Sequence, residues 1–191
     1  MKNTSLKNTL NRGFTLIELM IVIVILGVLM GTILPRLTGA QARARDIGRI
    51  ANLNSISQAL ETYFDDFGEY PGVMGNSYCL DPVATSDTDP AKLLKDYLKG
   101  GVPTPPSTEQ KTTFFGKNCV GKYLYAPLVN RGLPNNGYAI ASVIEMYQNA
   151  NFDSDTLEDI TSATSVKAIT DLMVKDSTTL KSTNFVYVQV N

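Results

Sequence analysis

The sequence predicts an α+β fold, with one long N-terminal helix packed on a small antiparallel sheet. Three observations carry this. Residues 14–34 form an apolar run in which Glu18 is the only charged side chain. Helical spacing then continues through Ile47, Ile50, Leu53, Ile56, Leu60, Tyr63 and Phe67, at gaps of three and four. Beyond residue 120, β-rich runs are separated by turn signals.

A length of 191 residues suits one domain with an appendage. Residues 1–13 are polar and basic and read as a cytoplasmic leader. Residues 14–35 follow as a transmembrane segment; the apolar run is about 32 Å long as a helix, enough to cross the hydrocarbon core. Its apolar block is too long for the core of a secretory signal peptide. Residues 36–68 form the amphipathic half of the same helix, which spans about 77 Å if it runs unbroken from residue 14 to 64. In FGEYPG, Gly68 permits a left-handed cap and Pro71 forbids continuation.

Residues 69–191 make the head. From 72 to 121 the chain is rich in Pro, Gly, Ser and Thr and reads as loop. A short helix interrupts it in DPAKLLKDYLKGG, with Asp89 as cap, Pro90 in the first turn and Gly100 at the exit. Strands are expected in KYLYAPL, GYAIASVIE and TNFVYVQV, the first two joined through LPNNG as a hairpin turn. Between the second and third lie an acidic stretch, NFDSDTLED, and a predicted helix in SVKAITDLMVK.

Composition excludes several functions. The net charge is −1, and Lys2, Lys7 and Arg12 fall in the leader, so the remainder is mildly acidic and offers no basic face for nucleic acid. Histidine is absent, which removes the commonest general base and most zinc sites. No activated nucleophile or phosphate-binding glycine loop takes its place, so the chain reads as non-enzymatic. Cys79 and Cys119 lack the close spacing of a metal knuckle. They would be buried thiols in the cytosol and a disulfide outside it, and the export-like segment before them favours the disulfide.

Glu18 is the residue that needs explaining. A charged residue at the membrane centre costs about 2.5–3.5 kcal/mol on insertion scales, and less near the end of the span. The junction RGFTLIELMIVIVILGVL resembles the type IV pilin superfamily, which includes pilus subunits and the pseudopilins of type II secretion. The resemblance covers about the first 71 residues and is only broad beyond them. It implies cleavage by a prepilin peptidase between Gly13 and Phe14, methylation of the new amino terminus at Phe14, and an assembly role for Glu18. Gly27, Gly31 and Pro35 correspond to the family's helix-weakening residues; as residues alone, they are also tolerated kinks of a membrane helix. Physically, a carboxylate in the bilayer has a favourable partner in a neighbouring subunit's terminal amine, and that pairing would set their register.

The implied function is a structural subunit of a pilus-like filament, or alternatively a pseudopilin whose short filament drives protein export. The implied partners are copies of itself, the membrane, the peptidase, and an assembly platform with its ATPase. The chain would start as a single-pass inner-membrane prepilin and end in an extracellular or periplasmic filament. An anchored binding protein that never polymerises is disfavoured by Glu18 and the Gly13–Phe14 junction. No cofactor is required. NFDSDTLED is either a solvated acidic loop or a calcium site through Asp153, Asp155 and Glu158, although it lacks EF-hand spacing and the family's known calcium loop has no counterpart. Arg36, Arg43, Arg45 and Arg49 balance the leader's charges, so the charge rule assigns no orientation. They either meet acids or lipid phosphates outside the chain or form a solvated face.

Overall fold

The computed structural model describes residues 13–106, 111–114, 117–153, 165–166 and 185–191. Helix α1, Leu16–Phe67, runs for 52 residues without a break. It traverses two compact units, one ending at Ala40 and the other beginning at Gln41.

In the first unit α1 is apolar all round, and the side chains from Phe14 through Leu34 are exposed. It is long and apolar enough to cross a membrane. The helix passes through Gly27, Gly31 and Pro35, and a methyl group at either glycine would meet nothing within 4 Å. Thr32 returns its hydroxyl to the carbonyl of Leu29 (2.9 Å), so its polar atom is satisfied within the helix.

In the second unit the predicted amphipathic face is present but rotated. Leu53, Ile56, Leu60 and Tyr63 are buried, as expected, whereas Ile47 and Phe67 are 59% and 61% exposed. The buried stripe instead begins at Asp46 and Arg49, two charged residues that hydrophobic periodicity passes over. α1 ends as read: Gly68 adopts φ +76° and donates its amide to Phe64 O at 2.7 Å.

Five strands form an antiparallel sheet in the order β1-β4-β5-β7-β6: β1 Tyr78–Leu80, β4 Tyr123–Asn130, β5 Leu133–Ile144, β6 Phe152–Asp153 and β7 Phe185–Val190. A separate hairpin pairs β2, Lys111–Phe114, with β3, Lys117–Val120. Three of these strands lie in the stretch read as loop. β1 has three residues, and β2 and β3 four each, too short to display a period. The helix α2, Pro90–Leu93, is capped as predicted by Asp89, whose carboxylate accepts from the Ala91 amide at 2.9 Å.

The β4–β5 turn is not LPNNG. It lies at Arg131–Gly132, where φ is +51° and +80°, the paired positive values of a tight hairpin turn. LPNNG belongs to β5, and the register slips between Leu128↔Gly137 and Asn130↔Leu133. Asn135 takes up the slip at φ +52° as a bulge. Its carbonyl accepts from the Tyr70 amide (2.8 Å) and its side-chain amide reaches Gly72 O (3.3 Å), tying the sheet to the exit of α1.

β4 is buried on both faces through Leu128, which fits its continuous apolar run. Tyr123 and Tyr125 join Tyr138 and Ile140 in the core under α1. Leu124, Ala126 and Leu128, with Ala139, Ala141 and Val188, form a second buried face. β2 packs against β4 and β5. On β5, Gly137 permits a close approach of Val166 and the chain end: a methyl group on it would collide with Val166 Cγ2 and meet Asn191 O at 2.7 Å. Asp153 lies in the edge strand β6, paired with Phe185; Asp155, Glu158 and most of SVKAITDLMVK fall outside the described residues.

Candidate assembly site

The start of α1 carries a polar arrangement that sequence reasoning overlooked. Thr15 directly precedes the helix, and Glu18 lies three residues further on. The Thr15 amide and hydroxyl donate to Glu18 Oε2 at 2.8 and 2.7 Å, and the Glu18 amide donates back to Thr15 Oγ1 at 3.3 Å. This is a capping box, with two otherwise unmet helix-end donors satisfied reciprocally. The signal was legible as T-L-I-E before an apolar run. A cap of this kind contributes about 1 kcal/mol, and a carboxylate in the first turn also opposes the helix dipole. Glu18 therefore has a partner within its own chain. Immediately before it, Gly13 and Phe14 are exposed, with Phe14 at 91%.

A second polar cluster anchors the head half of α1. Asp46, fully buried, accepts from Arg49 Nη1 (2.7 Å), the Glu145 and Met146 amides (both 2.9 Å) and Asn149 Nδ2 (3.3 Å). Arg49, 1% exposed, also donates to Glu145 Oε1 (2.7 Å) and Pro106 O (2.8 Å). Arg45 completes the cluster with a bidentate pair to Glu145, at 2.8 and 2.5 Å. Hydrogen bonds from Arg45, and then from Arg49, hold the Glu145 carboxyl down at about 2, against the opposing effect of burial. Two of the four arginines are thus committed within the chain, while Arg43 reaches Gln148 at 3.4 Å. No sequence signal locates this cluster, because its partners lie about a hundred residues apart.

Cys79 on β1 and Cys119 on β3 form a disulfide, their Cα atoms 5.4 Å apart. It ties the β2–β3 hairpin to the edge of the main sheet. Among the described residues, no three His, Cys, Asp or Glu side chains cluster as metal ligands.

Residues 8–34 match the family model of the prokaryotic N-terminal methylation motif. The chain is 40% identical over 98 residues to a fimbrial protein of Neisseria meningitidis serogroup B, covering 51% of this chain and 55% of that one. It is 34% identical over 95 residues to a type II secretion system core protein G of Pectobacterium carotovorum, covering 50% and 61%. A type IV major pilin protein PilA of Myxococcus xanthus is 40% identical over 63 residues, covering 33% and 29%. The chain thus spans little more than half the length of the first two relatives and less of the third. No solved structure matches it significantly. The motif and these relatives meet on one stretch, and they lead to one conclusion: the N-terminal half of the chain is similar to the type IV pilin and pseudopilin superfamily.

Proposed function

We propose that the chain is a structural subunit of a type IV pilus-like filament. It is made as a single-pass membrane prepilin, cut between Gly13 and Phe14 by a prepilin peptidase, methylated at Phe14 and polymerised through its N-terminal helix. The observation that carries this reading is a coincidence at one point of the chain. The basic leader ends, a Thr15–Glu18 cap begins a helix, and an apolar surface exposed on all sides follows at once. In the bilayer that surface is solvated by lipid, and between subunits by its own kind. Both Glu18 hydrogen bonds land on Oε2, so Oε1 is the oxygen that a neighbouring chain's Phe14 amine would take. Gly27, Gly31 and Pro35 are where the helix would loosen most cheaply on packing, because glycine and proline are its poorest helix formers. The assembly platform and its ATPase supply the work, and no cofactor is needed.

A second reading, a pseudopilin of a short filament that drives export, is favoured by relatives named as type II secretion core proteins. The two share the processing steps and differ in where the polymer goes. Intact-mass analysis of sheared surface material tests both. A filament whose subunit begins at methylated Phe14 supports the pilus. Loss of an exported protein when the gene is deleted, without surface filaments, supports the pseudopilin. A mature chain that begins at Met1 overturns both.

A further inference from the structure

A cleft of about 460 Å³ runs along one flank of α1 in the head, within the usual size range of small-molecule sites (~300–1,000 Å³). One wall is helical: Asn52, Ser55, Gln58 and Thr62 recur at gaps of three and four. Tyr97 and Lys99 lie in the opposite wall, and buried Ala59 keeps the floor low.

The lining is built rather than incidental. The Asn52 side-chain amide donates to Tyr123 Oη (2.8 Å) and Thr104 O (3.3 Å). The Ser55 and Thr62 hydroxyls spend their protons on the carbonyls of Ala51 (3.1 Å) and Gln58 (2.9 Å), so each presents acceptor lone pairs. Tyr97 is held at both ends, by its hydroxyl to Asp66 Oδ2 (2.8 Å) and edge-on against Tyr63 (5.6 Å between ring centres). Such groups cost little ordering when a ligand arrives.

The chemistry of the lining narrows the ligand. Among the described residues no carboxylate lines the cleft, which disfavours a divalent cation, and one lysine is too few for a polyphosphate backbone. Uncharged amides and hydroxyl acceptors beside a fixed aromatic ring suit a polyhydroxylated molecule, and Lys99 suits one carboxylate on it. We propose that this cleft binds a short carbohydrate carrying a carboxylated sugar. The inference rests on the head and is independent of the filament reading.

The test titrates the full chain in detergent with sialyllactose and with lactose, following the Asn52 and Gln58 side-chain amides by NMR. Saturable shifts with both sugars, tighter for sialyllactose, are expected. Gln58→Ala, on an exposed helix face, should weaken both about tenfold, near the upper end for one hydrogen bond. Lys99→Gln should remove only the preference for the acidic sugar. Absence of saturable shifts, or titrations that Gln58→Ala leaves unchanged, overturns the proposal. So does cross-linking of Gln58→Cys between copies in sheared filaments when no sugar binds, which would make the cleft a subunit contact.

Discussion

Asp46 and Arg49 form an ion pair at 2.7 Å, one turn apart on α1, with both side chains essentially removed from solvent. Asp46 also caps two backbone amides of the 145–146 corner. Arg49→Met should therefore lower head stability by about 3–5 kcal/mol, the usual cost of stripping one partner from a buried pair. The double variant Asp46→Leu with Arg49→Met should recover little, because the Glu145 and Met146 amides would then be buried without acceptors. Urea denaturation of the full chain in detergent, followed by tyrosine fluorescence, measures both. A double variant as stable as the parent would show that the amides find other acceptors.

Glu145 makes part of that stability dependent on pH. Its carboxyl is held at about 2 in the fold, against about 4.3 in an unfolded chain. A depressed carboxylate stabilises fully above its unfolded value and loses that contribution as pH falls from about 4.3 through about 2. Stability should thus decline across that window in the parent and less steeply in Glu145→Gln. Denaturation midpoints at pH 7, 4 and 2.5 check it; parallel declines would place the acid sensitivity elsewhere.

The Cys79–Cys119 bond closes a separation of 40 residues around the short helix and the β2–β3 hairpin. The chain-entropy account gives about 4 kcal/mol for such a loop. Replacing both cysteines with alanine should lower the head's denaturation midpoint and leave membrane insertion unchanged. Thiol labelling of the unreduced, denatured protein should find no reactive cysteine.

Glu18→Ala should separate insertion from assembly. Removing a charge makes insertion easier, and the Gly13–Phe14 junction is untouched. The variant should accumulate in membranes with a folded head yet give few or no filaments. Thr15→Val, which keeps the carboxylate and loses the hydroxyl, should cost about 1 kcal/mol of helix-end stability and spare much of the assembly. Immunoblots of membrane and sheared fractions read both. A normal filament yield from Glu18→Ala would mean that subunit register is set by other contacts.

Much of the fold was legible. The length of α1, its stop at Gly68, the Asp89 cap of α2 and the strands β4, β5 and β7 all arise from local chemistry: apolar period, cap geometry and β-branched runs. The candidate assembly site was half legible. Glu18 stood out as a charge in an apolar run, but its Thr15 partner was written in the same four letters and passed over.

The sequence by itself determined a membrane-length helix continuing into an amphipathic one, a β-rich head and a processing motif, since each depends on neighbours within a few residues. Tertiary structure alone decided which face of α1 is inside, because Asp46 and Arg49 can occupy a core position only when Glu145 and the 145–146 amides arrive to solvate them. It also decided where the hairpin turns: Asn135–Asn136–Gly137 has turn chemistry, but Asn135 is held in β5 by its bonds to Tyr70 and Gly72 at the exit of α1, and the reversal moves to Arg131–Gly132. In both cases a local preference yields to buried polar groups that only a distant segment can satisfy.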